Sequence, residues 1–298
     1  MRRWLAVLLA APLVAGCTGT VQVKASASAS SGAETAAVAP GDSPTTEASR
    51  SITIRYGAAT VGSKTTRRLE HVVTGHALTG KSASFTVRHV AEQSLKVLAV
   101  EGERASRLEV TFVSDETTVL GVKGKPKVLT GPLAGRTFIL ARGVVRPRVF
   151  ASDGVPASPH DSALVSRLFP RLDEGDAFDN GGFPTGSMAI GDRVPSLEQV
   201  MAWDIGRASG GTAKVSSLTV RLADLRDAES DRQAVFSIDL AWSEAFGEIR
   251  FDGQLAGAMI YRSDGRLVSM KVKGPASIEG IAGRAEGVQE LSLTETHS

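Results

Sequence analysis

One cysteine, Cys17, stands among 298 residues, so neither a disulfide within the chain nor a cysteine-ligated metal can brace the fold. Histidine is scarce too, with five in all. His71 and His76 are five residues apart, which on a continuous strand turns them to opposite faces and prevents a shared metal. His89 sits in an alternating apolar stretch and reads as half-buried structure, His160 belongs to a helix cap, and His297 lies at the tail. No metal and no cofactor is expected. Catalytic signatures are also missing. The run GRASG (206–210) places its serine one position too late for a nucleophile elbow, and GVKGKP (121–126) lacks the Ser or Thr of a phosphate loop. The acidic run 173–182 offers oxygen ligands, but its spacing matches no EF-hand and Phe178 interrupts it, so it reads as a solvated loop. These absences point away from an enzyme. The apolar run from Trp4 to Val14 is too short to cross about 30 Å of hydrocarbon.

What the N-terminus does contain is a pattern. Arg2 and Arg3 precede the apolar run, and Leu13, Val14, Ala15 and Gly16 lead directly into Cys17. This resembles the lipobox of bacterial lipoproteins. The resemblance implies that residues 1–16 are a signal peptide and that a diacylglyceryl group is attached to the Cys17 sulfur. Cleavage would make Cys17 the mature N-terminus. Thr18, rather than Asp, follows the cysteine, which the same resemblance reads as release to the outer membrane. The expected location is therefore the cell envelope, with the membrane engaged through an acylated N-terminus. Two or three acyl chains make such anchoring durable where one gives only marginal binding.

Residues 17–50 are expected to be the lipidated cysteine and a disordered tether. Ala, Ser, Thr, Gly, Glu and Pro dominate the segment, and there is too little apolar surface to offset the entropy of ordering it. Its length corresponds to an end-to-end distance of about 30 Å. From residue 51 the apolar residues recur at period two: Phe85, Val87 and His89; Leu108, Val110 and Phe112; Leu218, Val220 and Leu222; Phe236, Ile238 and Leu240; Val268, Met270 and Val272. That alternation predicts strands with one buried face. Gly121, Gly124, Asp252-Gly253, Asp264-Gly265 and Gly287 read as turns between them. Ser158 as a cap, Pro159 in the first turn and Leu164, Val165, Leu168, Phe169 and Leu172 at helical spacing predict one amphipathic helix over about 158–172.

The expected fold is mainly β, with two antiparallel, duplicated, curved sheet halves joined by that helix. A first β domain covers 51–150, a helix-and-loop connector 151–200 and a second β domain 201–298. The duplication rests on Gly131, Gly135 and Gly143 recurring 122 residues later as Gly253, Gly257 and Gly265, and on a loose echo of LEVTFVS (108–114) in FSIDLAW (236–242).

Charge is unevenly spread. Residues 51–150 hold 16 Lys plus Arg against 7 Asp plus Glu, whereas 151–200 hold 3 against 8. Lys123, Lys125 and Lys127 share period two, as do Arg146 and Arg148, so on strands they would form a basic, anion-binding stripe. The expected function is a non-catalytic binding or carrier module for an anionic or lipidic envelope ligand. The alternative is a structural or assembly lipoprotein that contacts another envelope protein through its sheet surfaces. Nucleic acid is not an expected partner, given the compartment and a net charge of +2.

Overall fold

The computed structural model describes residues 51–298 apart from 79–83, 122–124, 144–146, 170–181, 209–211, 229–230, 247 and 281–282. Cys17, Lys123, Arg146 and most of the acidic run lie outside the described residues. The elements follow as β1 (Ser51–Ile52), β2 (Lys64–Ala77), β3 (Ser84–Glu101), β4 (Arg104–Gly121), β5 (Lys127–Thr130), β6 (Thr137–Ala141), β7 (Arg148–Ala151), α1 (Pro159–Leu168), β8 (Met188–Ala189), α2 (Pro195–Ala208), β9 (Ala213–Ala228), β10 (Asp231–Phe246), β11 (Ile249–Arg262), β12 (Leu267–Gly280) and β13 (Gly283–His297). The fold is mainly β, with large antiparallel sheet and few helices, as the period-two patterning predicts.

The two halves form one continuous sheet. Its order is β7-β6-β4-β3-β2-β13-β12-β11-β10-β9, with β5 also on β4, while β1 and β8 make a separate pair. β2 and β13 join the halves in an unbroken antiparallel register from Ala77–Ala285 to Thr65–His297. Strand order runs in the same sense on both sides of that join. The glycine pairs of the sequence repeat, however, do not occupy equivalent places. Gly131 and Gly135 lie between β5 and β6, whereas Gly253 and Gly257 lie inside β11. Gly135 and Gly265 do sit in turns, with φ of +74° and +78°.

Those mid-strand glycines bend the sheet. Gly257 pairs with Val272, Gly274 with Gln289 and Gly287 with Gly75, so β11, β12 and β13 each place a glycine two residues further along than the strand before. A Cβ at Gly257, Gly274 or Gly287 would run into the carbonyl oxygen of Lys271, Gln254 or Thr74, respectively. Only glycine permits that approach between strands, and a diagonal of such positions curves a sheet toward the face that has lost its side chains. Bulges add to the bend in both halves: β9 and β10 shift register at Val235/Phe236 and Ala241/Trp242, and β11 and β12 at Ile260/Tyr261. β3 and β4 slip register between Glu92 and Gln93 and again around Ala99, and each bulge adds local twist.

Both helices pack against the same inner face. α2 brings Val194, Leu197, Met201 and Ile205 against Val220, Leu222, Phe236, Ile238, Leu240, Met259 and Leu293. α1 brings Val165 and Phe169 against Leu95, Val110, Phe112, Phe138, Leu140 and Val149. α1 is the predicted helix: Ser158 accepts the Asp161 N–H at 3.1 Å as its cap, and the α-helix itself ends at Leu168. α2 was not foreseen, and it crosses the expected 200/201 domain boundary. Its buried Leu197, Val200, Met201 and Ile205 carry helical spacing that was readable in the sequence.

A first-turn carboxylate secures each helix. Arg136 grips Asp161 through two bonds of 2.6 and 2.7 Å, and together with Ser158 holds that carboxyl down at about 2. Arg193 grips Glu198 through two bonds of 2.8 Å, while Glu198 also accepts the Val220 N–H of β9 at 2.8 Å. Burial pushes the Glu198 carboxyl up, but these bonds outweigh it and hold it below its ordinary range.

Candidate functional site

Alongside the larger core the inner face carries a line of polar side chains. Register across β13, β2, β3 and β4 sets Leu291, His71, His89 and Thr117 side by side on one row. Asp115 shares this face, one row nearer the chain's α1-covered core. His89 Nε2 lies 2.9 Å from Asp115 Oδ1. His71 is hydrogen-bonded to Gln289, and burial followed by the neighbouring His89 lowers its pKa to about 4. His71 is therefore neutral near pH 7. From there the polar line steps diagonally across the sheet: Gln289 lies opposite Val73, one register row beyond His71, and Trp242 lies opposite Gly253, one row further still. A Cβ at Gly253 would strike the Gln289 amide nitrogen and lie 2.7 Å from Trp242 Nε1, so both side chains lie over that glycine. Glu244 follows two residues along the same face. It accepts a bond from Thr212 at 2.8 Å, and burial pushes its carboxyl up to about 7.

Among the described residues, several buried atoms of this line have no hydrogen-bond partner: His89 Nδ1, Gln289 Nε2, Trp242 Nε1 and Glu244 Oε2. Buried polar groups are normally paired, and leaving one unpaired costs about 1–3 kcal/mol. Beside the row stands an apolar wall. Val73, Val87 and Val119 are in register on β2, β3 and β4, and Leu129 of β5 lies on the same face. None of the four belongs to either packed core, and Val87 and Val119 are only half-buried. The face therefore offers an apolar surface and unpaired polar atoms next to each other.

A second hollow, a cleft of about 230 Å³, opens where residues 56–60 pass the β11–β12 turn and the chain end. Its floor holds Arg67 and Glu295, an ion pair with side chains 13% and 4% exposed. His297 bonds Thr65 Oγ1 at 3.1 Å and the Leu267 carbonyl at 3.0 Å. Burial pushes Glu295 up, yet Arg67 holds it below its ordinary range. The charges here answer one another, so the cleft serves to tie β2 to β13.

The predicted basic stripe does not assemble as one surface. Lys123 and Arg146 lie outside the described residues, and Lys125 is exposed just before β5. Lys127 pairs with Val119 and so takes the inner face, whereas Arg148 pairs with Ala141 on the outer face. The pleat separates them. His71 and His76 do face opposite ways, as expected, but His71 meets His89 directly across β2 and β3. Spacing along one strand could not reveal that neighbour. Among the described residues, no group of three or more His, Cys, Asp or Glu is placed to hold a metal ion. No described helix is long and apolar enough to cross a membrane.

No protein-family model and no curated protein matches the chain. Among solved structures it is similar to DynF from the dynemicin biosynthesis pathway of Micromonospora chersina, at 6% identity over 86% of this chain and 92% of that one, with a TM-score of 0.21. A likeness of that size carries no argument about fold or function.

Proposed function

We propose that this chain is a lipid-anchored protein of the cell envelope whose folded part binds and carries an amphipathic ligand without transforming it. The observation that carries the reading is the juxtaposition on the inner face. The wall of Val73, Val87, Val119 and Leu129 suits an apolar body, and His89, Gln289 and Trp242 supply unpaired polar atoms beside it. The pattern ending at Cys17 supports the anchor, with attachment to the outer membrane through its acyl chains. Native mass spectrometry of the chain extracted from membranes tests the binding reading. Co-purified amphiphile is expected on the native chain and is expected to be lost from Val87→Glu, whose carboxylate would stand in the wall. A chain that carries nothing, or a variant that retains the same cargo, would count against the reading.

The anchor has its own test. Cys17→Ser is expected to move the protein from the membrane pellet to the soluble fraction without changing its circular dichroism. Retention in the pellet after a high-salt wash would show attachment by other means.

A second reading, assembly with another envelope protein through the sheet surface, is supported by a different observation. Val113, Leu120 and Val128 are 50%, 40% and 56% exposed along β4 and the short edge strand β5. Exposed apolar side chains gathered on an edge favour a protein contact. Charged replacements at Leu120 and Val128 would abolish co-purification of such a partner while leaving ligand binding intact.

A further inference from the structure

We infer that the polar row selects an amphiphile whose head is uncharged and bears hydroxyl or carbonyl groups, in preference to an anionic one. The inference rests on the binding reading above and specifies its ligand.

The hydrogen-bonding inventory of the row is the starting point. Asp115 Oδ1 engages His89 Nε2, so that nitrogen carries the proton. Nδ1 of the same ring is buried and has no hydrogen-bond partner among the described residues. Gln289 Nε2 and Trp242 Nε1 are donors, brought together over Gly253 and equally unpaired. The site therefore presents two free donors and an unpartnered ring nitrogen within one chain of contacts. A hydroxyl can donate to or accept from the ring nitrogen, and a carbonyl or hydroxyl oxygen can accept from the two donors.

The charges near the row exclude an anion as the better fit. Asp115 at one end of it would repel a buried carboxylate or phosphate, and Glu244 at the other, raised to about 7 by burial although Arg167 acts on it, would be driven further toward its protonated form by an anion. His71 is held neutral by burial and by His89. Arg67, on the same face of β2, is already tied to Glu295. Lys127 faces inward opposite Val119 but is exposed at the rim. An anionic head drawn to Lys127 would remain in water, where exposed charge pairs contribute little, and would leave the buried donors and ring nitrogen unanswered.

Three probes that share one oleoyl chain test this: monooleoylglycerol, oleate and oleoyl lysophosphatidate, each added to the full chain and read by native mass spectrometry. Monooleoylglycerol is expected to bind about tenfold more tightly than either anion, the effect of one buried hydrogen bond made instead of left unmade. Trp242→Phe keeps the ring shape and removes only the indole N–H, and is expected to weaken monooleoylglycerol by a similar factor while leaving oleate unchanged. Gln289→Leu should do the same, and Lys127→Ser should change none of the three. Equal or tighter binding of the anions, or their loss in Lys127→Ser, would overturn the uncharged-head inference and leave the binding reading in place. Failure of all three probes to bind would instead remove the binding reading itself. Far-ultraviolet circular dichroism of each variant separates lost binding from lost fold.

Discussion

In the second half, β9 to β13 are five strands of 14 to 16 residues that run as an unbroken meander, whereas in the first half β2, β3 and β4 begin the same way and the sheet then breaks into β5, β6 and β7, none longer than five residues. The long meander bends through the diagonal of Gly257, Gly274 and Gly287. Bulges occur in both halves, so the glycine diagonal is what the meander adds. Packing follows the same division. Among the described residues, 27 buried side chains form the core under α2 and 10 form the core under α1, so the second half has far more buried apolar contact to lose. The polar line runs along the margin of the larger core, of which Trp242 is itself a member. A curved sheet can thus be covered by helices over part of its inner face and left receptive beside them.

The strongest way to break the comparison is to fill the glycine diagonal. Gly257→Ala places a methyl against the Lys271 carbonyl inside the β11–β12 ladder, and is expected to cost more than about 3 kcal/mol of stability by urea denaturation. Gly135→Ala, in the first half, meets no atom within 4 Å and is strained only by its φ of +74°, an expected cost of about 1 kcal/mol. Equal costs at the two sites would show that the diagonal is not what holds the curve.

Core deletions probe whether the unequal halves unfold together. Phe236→Ala in the larger core and Phe138→Ala in the smaller should each cost about 3–5 kcal/mol. The β2–β13 ladder joins the halves along its full length, so tryptophan fluorescence from Trp203 and Trp242 should lose its native signal at the same denaturant concentration as circular dichroism. Separate midpoints in Phe138→Ala would mean that the first half can open alone.

The polar row should announce itself through pH. Glu244 has its carboxyl raised to about 7, so its proton stabilises the fold at low pH and that contribution is lost as pH rises from about 4.5 through 7. His71 has its ring lowered from 6.5 to about 4, so its neutral form stabilises the fold above pH 6.5 and that contribution is lost as pH falls through 4. The two slopes oppose each other, and the native chain should therefore vary little in stability between pH 5 and 6.5. Glu244→Gln should uncover a decline on acidification and His71→Leu a gain, each approaching about 1.4 kcal/mol per pH unit. A flat profile in both variants would show that neither group titrates differently on folding.

The smallest expected effect concerns the basic residues. Because Lys127 and Arg148 lie on opposite faces, replacing either with serine should change stability by no more than about 0.5 kcal/mol. Their effects on binding to anionic liposomes should be independent of each other. A loss in the double variant larger than the two single losses together would restore a shared stripe.

Local pattern made much of the scaffold legible. Leu218, Val220 and Leu222 or Phe236, Ile238 and Leu240 need only period two to announce a strand with a buried face, and Ser158, Pro159 and Asp161 announce a helix start through capping chemistry that acts over three residues. The missed α2 was legible on the same grounds, from Leu197, Val200, Met201 and Ile205. The mid-strand glycines mislead. Gly253, Gly257 and Gly287 look like turn residues or turn repeats along the chain, because the carbonyl that makes each position glycine-only, or the side chain that covers it, belongs to another strand.

The sequence by itself determined which segments alternate, where α1 begins and that no disulfide can hold the fold. The tertiary structure alone decided that His71 faces His89, that Gln289 and Trp242 meet over Gly253, and that Lys127 and Arg148 part company. The reason is register: side chains alternate faces at every residue, so which groups converge depends on how distant strands slide against one another, and that is set by packing and kinks distributed across the whole sheet.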